Sequence, residues 1–145
     1  VLQLSSAYWG AALLGEVDVA LGCGGTVVFT GAGTPEEIWA AVQQHSVSVL
    51  GIVPALLAHL PAEEARRSTA LRVVLSWADG CPAALAQRWR AAGVEVVELL
   101  IASEYWLALS ARGPGAHGHP LYHKVQDVQW RIALDGEAEA AEGQV

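Results

Sequence analysis

Thr34-Pro35-Glu36-Glu37-Ile38-Trp39-Ala40-Ala41-Val42-Gln43-Gln44-His45, followed almost at once by Val47-Ser48-Val49-Leu50-Gly51-Ile52-Val53-Pro54, decides the reading of this chain. Thr34 supplies a side-chain acceptor at a helix N-cap. Pro35 suits the first helical position, where no N–H is needed, and Glu37 completes a capping box. Ile38, Ala41, Val42 and His45 then recur on one face. Val47 to Val53 is nearly all apolar, as a strand covered on both sides must be. Pro54 opens a short helix through Leu56, Leu57 and Leu60.

The same unit recurs on either side. Toward the N-terminus, Val1 to Ser6 reads as a loop or short extended entry. Ala7 to about Leu21 reads as a helix with Ala11, Leu14, Val17 and Leu21 on one face. Gly22-Cys23-Gly24-Gly25 stops it, and Thr26 to Thr30 is a strand. Toward the C-terminus, Pro61 to Thr69 is a polar connection and Leu71 to Leu75 a strand. Ser76 to Gly80 is a loop, and Pro82 starts a helix with Leu85 and Trp89 inward, closed by Gly93. Val94 to Leu100 is a further strand, Trp106 to Ser110 a short one, and Arg112 to His119 a Gly/Pro/His-rich loop. Val128, Trp130 and Ile132 alternate with polar neighbours, which predicts a half-exposed strand over Val125 to Leu134. Strand and helix in alternation predict an α/β fold: a parallel sheet with helices on both faces. Ligands of such sheets bind at the carboxyl ends of the strands, which points to Ser76 to Gly80 and Ile101 to Glu104, with Tyr8 and Trp9 as a wall.

The 145 residues suffice for one domain with a real core. Hydrophobic residues make up 53% and charged ones 16%, richer in apolar residues than an ordinary soluble domain. With a net charge of −7 and no basic patch, nucleic acid is not expected as a partner. The acids Asp135, Glu137, Glu139 and Glu142 read as a solvated tail. Cys23 and Cys81 form no Cys-x-x-Cys, so a reducing cytoplasmic setting is expected. No apolar run reaches the roughly 20 residues of a membrane span. Residue 1 is Val and the sequence has no Met, so the expectation is a segment of a longer polypeptide.

The ordered set of segments resembles adenylate-forming (AMP-binding) enzymes, most of all the adenylation domains of nonribosomal peptide synthetases. Gly25-Thr26-Val27-Val28-Phe29 is similar to the family's glycine-then-apolar strand. Val47 through Leu57 is similar to its strand ending in Val-Pro. Leu71 to Leu75 resembles the strand before its Gly-Gly-Glu loop, and Val96 to Glu104 the segment bearing its Asn-x-Tyr-Gly-Pro-Thr-Glu motif. Ile132 to Val145 resembles the run-up to its Gly-Glu-Leu turn. The resemblance implies a flavodoxin-like lobe. It places the family's phosphate loop before Val1, and its ribose-binding Asp, catalytic Lys and small C-terminal domain after Val145.

Carried over by position, the phosphate-contacting Thr falls on Ser103 and the Mg²⁺-holding Glu on Glu104, the two residues expected to retain catalytic or cofactor-binding chemistry. The competing reading is that both merely end a strand. The motif's Tyr and Gly positions hold Leu100 and Ile101. The Gly-Gly-Glu loop has become Trp77-Ala78-Asp79, so Ala78 and Asp79 are the cofactor-side candidates and Trp77 a pocket candidate. A core role for Trp77 and a helix-capping role for Asp79 compete with this. The pair matching the family's Phe-Asp, which binds a substrate ammonium, is Tyr8-Trp9, so a substrate acid without an α-amine is expected.

The leading expectation is an incomplete adenylation lobe. It would be non-catalytic by itself, need no cofactor of its own, and serve as a structural or docking part of a multidomain synthetase beside neighbouring domains and a carrier protein. In the parent family the cofactors are ATP and Mg²⁺. A segment of a working carboxylic acid ligase and a nucleotide-binding Rossmann-like module are the alternatives. His117, His119 and His123 read as a solvated loop rather than a metal site. Gly22 to Gly25 precedes a strand instead of following one and so fails as a dinucleotide loop. Cys81 reads as a structural thiol.

Overall fold

The computed structural model of the chain describes residues 1–68, 70–102, 104–114, 120–126 and 129. In chain order it runs through β1 (Leu2–Gln3), α1 (Gly10–Ala12), a π-helix (Leu13–Asp18), α2 (Val19–Gly22), β2 (Val28–Phe29) and α3 (Pro35–Gln44). Then come β3 (Val49–Gly51), α4 (Pro54–Leu57), a 3₁₀ helix (Ala62–Arg66), β4 (Val73–Ser76), α5 (Ala83–Ala91), β5 (Glu95–Ala102), β6 (Trp106–Pro114) and β7 (Pro120–Lys124).

These strands form one sheet in the order β2-β1-β3-β4-β5-β6-β7. The first five are parallel, in the 2-1-3-4-5 order of flavodoxin-like sheets. The last two add antiparallel neighbours. The expected α/β fold is therefore present, as a mixed sheet rather than a wholly parallel one. A short connection from β5 to β6 leaves room only for an antiparallel return, since a parallel one needs a crossover. Trp106, at φ 56, takes the left-handed conformation where β6 begins.

Alternation along the parallel strands makes two cores. Leu2, Leu50, Val74 and Val96 face α3 and α5, packing with Ile38, Val42, Trp39 and Trp89. The two indoles stack with centroids 6.0 Å apart. Val97, Leu99 and Trp77 form the core of the other face, where the segment Gly10–Gly22 lies. The capping box of α3 forms as expected: Glu37 N–H donates to Thr34 Oγ1, and Glu37 Oε2 accepts from the Thr34 N–H.

Of the two readings of Val1 to Ser6 the extended one holds at Leu2–Gln3, where β1 stands between β2 and β3 inside the sheet. Two expectations shift. The predicted inward face of the first helix changes. A π-turn carries an extra residue, which moves the phase of everything after it. The fully buried positions are Ala12, Gly15, Glu16 and Ala20, while Leu21 is exposed. A strand that was not expected, β7, forms at Pro120–Lys124, while most of Val125 to Leu134, where a strand was expected, lies outside the described residues. Among the described residues no helix is long and apolar enough to cross a membrane.

Candidate functional site

In a 2-1-3-4-5 sheet the connection leaving β1 runs toward β2 while the one leaving β3 runs the opposite way toward β4, and a crevice opens between them at the carboxyl ends. Here that crevice is an open cleft of about 630 Å³, in the range of small-molecule sites. Every parallel strand from β1 to β5 except the edge strand β2 ends in it. Leu4, Ser5 and Ser6 follow β1, Val53 and Leu56 follow β3, and Trp77 and Ala78 follow β4. Ile101, Ala102 and Glu104 lie at the end of β5, and Trp9, Gly10 and Ala11 close the side at the start of the helical segment. The walls are apolar. Glu104 is the one charged residue among the described lining residues.

The fold thus brings Trp9, Trp77, Ala78 and Glu104 to one cleft from three distant parts of the sequence. Trp77 is its floor. It is 4% exposed and packs with Val97 and Leu99, against the missing side chain of Gly15. Ala78 is held at φ 79, a left-handed conformation that suits glycine, at the position where the resemblance gives a glycine. Tyr8 and Asp79 are exposed and are not part of the cleft lining. The Tyr8 ring rests 5.8 Å from that of Trp9. Asp79 does not cap α5 either: the N-cap is Pro82, and no side chain caps it. Leu100 is exposed and points away from the lining, whereas Ile101 forms part of it. Ser103, His117 and His119 lie outside the described residues. His123 is on β7 and exposed, and no group of three or more metal-ligating side chains occurs among the described residues.

Two polar features escaped the sequence reading. Glu98, on β5 and 6% exposed, accepts the Cys81 N–H at 2.7 Å through Oε2 and the Tyr122 hydroxyl through Oε1. It thereby clasps β7 and the start of α5 to the sheet. Burial, then the Glu98 charge, pushes the Cys81 thiol up, which keeps it protonated and structural. Burial and the bond to Glu98 likewise push the Tyr122 phenol up. Glu16 is fully buried in the π-helix. The signal for both was the same, a lone carboxylate inside an otherwise apolar stretch (Leu13-Leu14-Gly15-Glu16-Val17 and Val96-Val97-Glu98-Leu99).

As a place for Mg²⁺ with a nucleotide, the cleft offers the exposed carboxylate of Glu104. That is sufficient on the protein side, because Mg²⁺ commonly takes one or two carboxylates and completes its shell with water and phosphate oxygens. The described lining residues supply no lysine, arginine or histidine to balance phosphate charge.

The fold recurs widely among solved structures. IdnL1 superposes with a TM-score of 0.85 at 18% identity, covering 99% of this chain and 32% of that one. The benzoate CoA ligase of Burkholderia xenovorans LB400 gives 0.77 at 22% identity, covering 98% and 30%. The nonribosomal peptide synthetase FmoA3 gives 0.67 at 27% identity, covering 83% and 15%. The chain therefore spans about a third or less of the length of these proteins. No curated protein matches its sequence significantly. The family model described as "AMP-binding enzyme" matches residues 1–133. On that match, together with a lobe whose strands end in one crevice, the chain belongs to the AMP-binding enzyme family.

Proposed function

We propose that this chain is the acid-binding lobe of an ATP-dependent carboxylic acid ligase, and that by itself it binds an acid without activating it. The observation that carries this is the open apolar cleft at the carboxyl ends of β1, β3, β4 and β5, floored by Trp77 and walled by Trp9, Val53, Leu56 and Ile101. Such walls suit an aromatic or branched apolar acid. Among the described lining residues the sole carboxylate is Glu104, and the position that the resemblance gives to an ammonium-binding Asp is Trp9, which disfavours amino acids.

In adenylation the acid's carboxylate oxygen attacks the α-phosphorus of ATP, and pyrophosphate leaves. Charge develops on the phosphates, and preorganised positive groups must meet it. Glu104 can hold Mg²⁺ at that corner, with Ser103 beside it in sequence as a phosphate contact. The balancing cation must come from outside the described lining residues. The lobe then works within a larger synthetase or ligase of the cytoplasm, alongside further domains and a carrier protein.

Titration calorimetry with benzoate, with phenylalanine and with a non-hydrolysable benzoyl-adenylate mimic tests the reading. The mimic is expected to bind tightest and phenylalanine not at all, with no ATP–pyrophosphate exchange by this chain alone. Absence of binding by both benzoate and the mimic would overturn it. A docking platform is the second reading, favoured by Tyr8, Trp9, Tyr105 and Trp106, which expose 83%, 62%, 49% and 51% of their surface.

A further inference from the structure

Among the described residues Glu16 is the one carboxylate that is wholly buried, and neither of its oxygens has a hydrogen-bond partner. Its side chain fills the notch above Gly51, where a Cβ would lie 2.6 Å from Glu16 Cδ. Gln3 sits one residue beyond the Leu2–Leu50 pair, so it stands beside Gly51 in the neighbouring strand, on the same face of the sheet. Gln3 is 2% exposed. Its Nε2 donates to the Ser5 carbonyl at 3.0 Å, and its Oε1 has no donor. Three buried acceptor atoms on this face of the sheet, at neighbouring strand positions, thus lack a hydrogen-bond partner.

An ionised Glu16 would be an unpaired buried charge, among the costliest arrangements in a protein. One proton resolves both vacancies, because a neutral carboxylic acid has an O–H to give and an amide oxygen can accept it. We propose that Glu16 is a positioning residue held as the neutral acid, donating its proton to Gln3 Oε1, and that through Gln3 it fixes Ser5 on the wall of the cleft. The chain of contacts then runs from the π-helix to β1 to the site: Glu16, Gln3, the Ser5 carbonyl, and Ser5 itself as a lining residue. The π-turn is what allows it, since the extra residue rotates Glu16 onto the sheet.

The surroundings agree. Burial pushes the Glu16 carboxyl up to about 8. The Leu4 N–H, which lacks hydrogen-bond geometry, and then the Val1 ammonium oppose the rise. β3 presents no titratable side chain over Val49–Gly51. On β6 the cation Arg112 is engaged by Glu95 of β5 at 3.3 Å. On the π-helix itself Asp18 is exposed.

The test is a pH titration of the intact chain by NMR, with ¹³C-labelled glutamate and ¹⁵N-labelled backbone. The Glu16 carboxyl is expected to titrate with a midpoint above 7, and the amide shifts of Ser5 and Ser6 to follow with the same midpoint. Glu16→Gln, whose amide N–H mimics the acid proton, should hold the Ser5 and Ser6 shifts at their acid-side values at every pH. Gln3→Met should leave Glu16 titrating but uncouple Ser5 and Ser6 from it. A Glu16 midpoint in the ordinary carboxylate range overturns the proposal, as do Ser5 and Ser6 shifts that ignore it. If either variant fails to fold, the wild-type titration decides alone. None of these readouts depends on what the cleft binds.

Discussion

Trp77 packs into the space that Gly15 leaves open: a Cβ on Gly15 would lie 3.4 Å from Trp77 Cζ3 and 3.6 Å from Cε3. The floor of the cleft and the helix behind the sheet are therefore one packed unit. Truncating Trp77 to Ala should cost about 3–5 kcal/mol of unfolding free energy, as a large buried aromatic does. It should also deepen the cleft. Urea unfolding followed by circular dichroism measures the first, and a shift in acid preference toward bulkier rings reports the second.

Gly51 is constrained from the other side by Glu16. Gly51→Ala would drive a methyl group into the Glu16 carboxyl, a clash with a side chain that has no room to retreat. The expected loss is about 1–3 kcal/mol, the usual penalty of overpacking, read as a lower urea midpoint with an unchanged slope.

Ala78 holds φ 79 where only glycine is at ease. Ala78→Gly is expected to raise stability by up to about 1 kcal/mol through relief of left-handed strain. Ala78→Val should lower it by more than that, since a β-branched residue at positive φ is a genuine outlier. Thermal melts of the two variants should move in opposite directions, and a shared direction would mean that residue 78 does not hold a positive φ in solution.

The Tyr122 hydroxyl is one of two donors to the buried Glu98. Tyr122→Phe leaves that carboxylate half-satisfied and should cost about 1–3 kcal/mol. Hydrogen exchange should quicken across β7 and at the Cys81 amide, while the amides of α3 stay protected.

Stability should fall as pH rises across neutrality. Glu16 has its folded value raised from 4.5 to about 8, so the folded chain binds a proton that the unfolded chain releases. That contribution is fully present below 4.5 and is lost as pH rises toward about 8, with a slope of up to about 1.4 kcal/mol per pH unit. Glu37 works the other way, because bonds from the Gly33 and Thr34 N–H groups hold its carboxyl low, so its contribution appears above 4.5 and fades in acid. Urea midpoints from pH 5 to 9 should decline in the wild type and stay level in Glu16→Gln.

Local chemistry was legible in the sequence. The Thr34–Glu37 box, the Pro54 helix start and the apolar runs that became β3, β4 and β5 all depend on neighbours within a few residues. What was hidden depends on partners far along the chain. Two residues, Leu2 and Gln3, carry no periodic signal, yet they take an interior place in the sheet because β2 and β3 flank them. The π-turn broke a helical pattern that looked regular, so Glu16 was passed over and Leu21 was placed inside. Trp9, Trp77, Ala78 and Glu104 could be singled out by resemblance. Their meeting in one crevice was expected from the carboxyl-end rule, but Trp77 beneath it and Tyr8 outside it follow from tertiary packing that the sequence pattern does not carry.

The ends of the sheet bear on how the lobe behaves in a crowded solution. β2 offers only Val28 and Phe29 as an edge. At the opposite rim of the described residues β7 opens with Pro120, which has no N–H to give, and closes with Lys124. A passing strand would find too few backbone groups at the first rim, and a missing donor and a charge at the second. Among the described residues both borders thus disfavour self-association through strand pairing, so any clumping of this lobe should be driven by its aromatic cleft mouth and be reversed by a ligand that covers it.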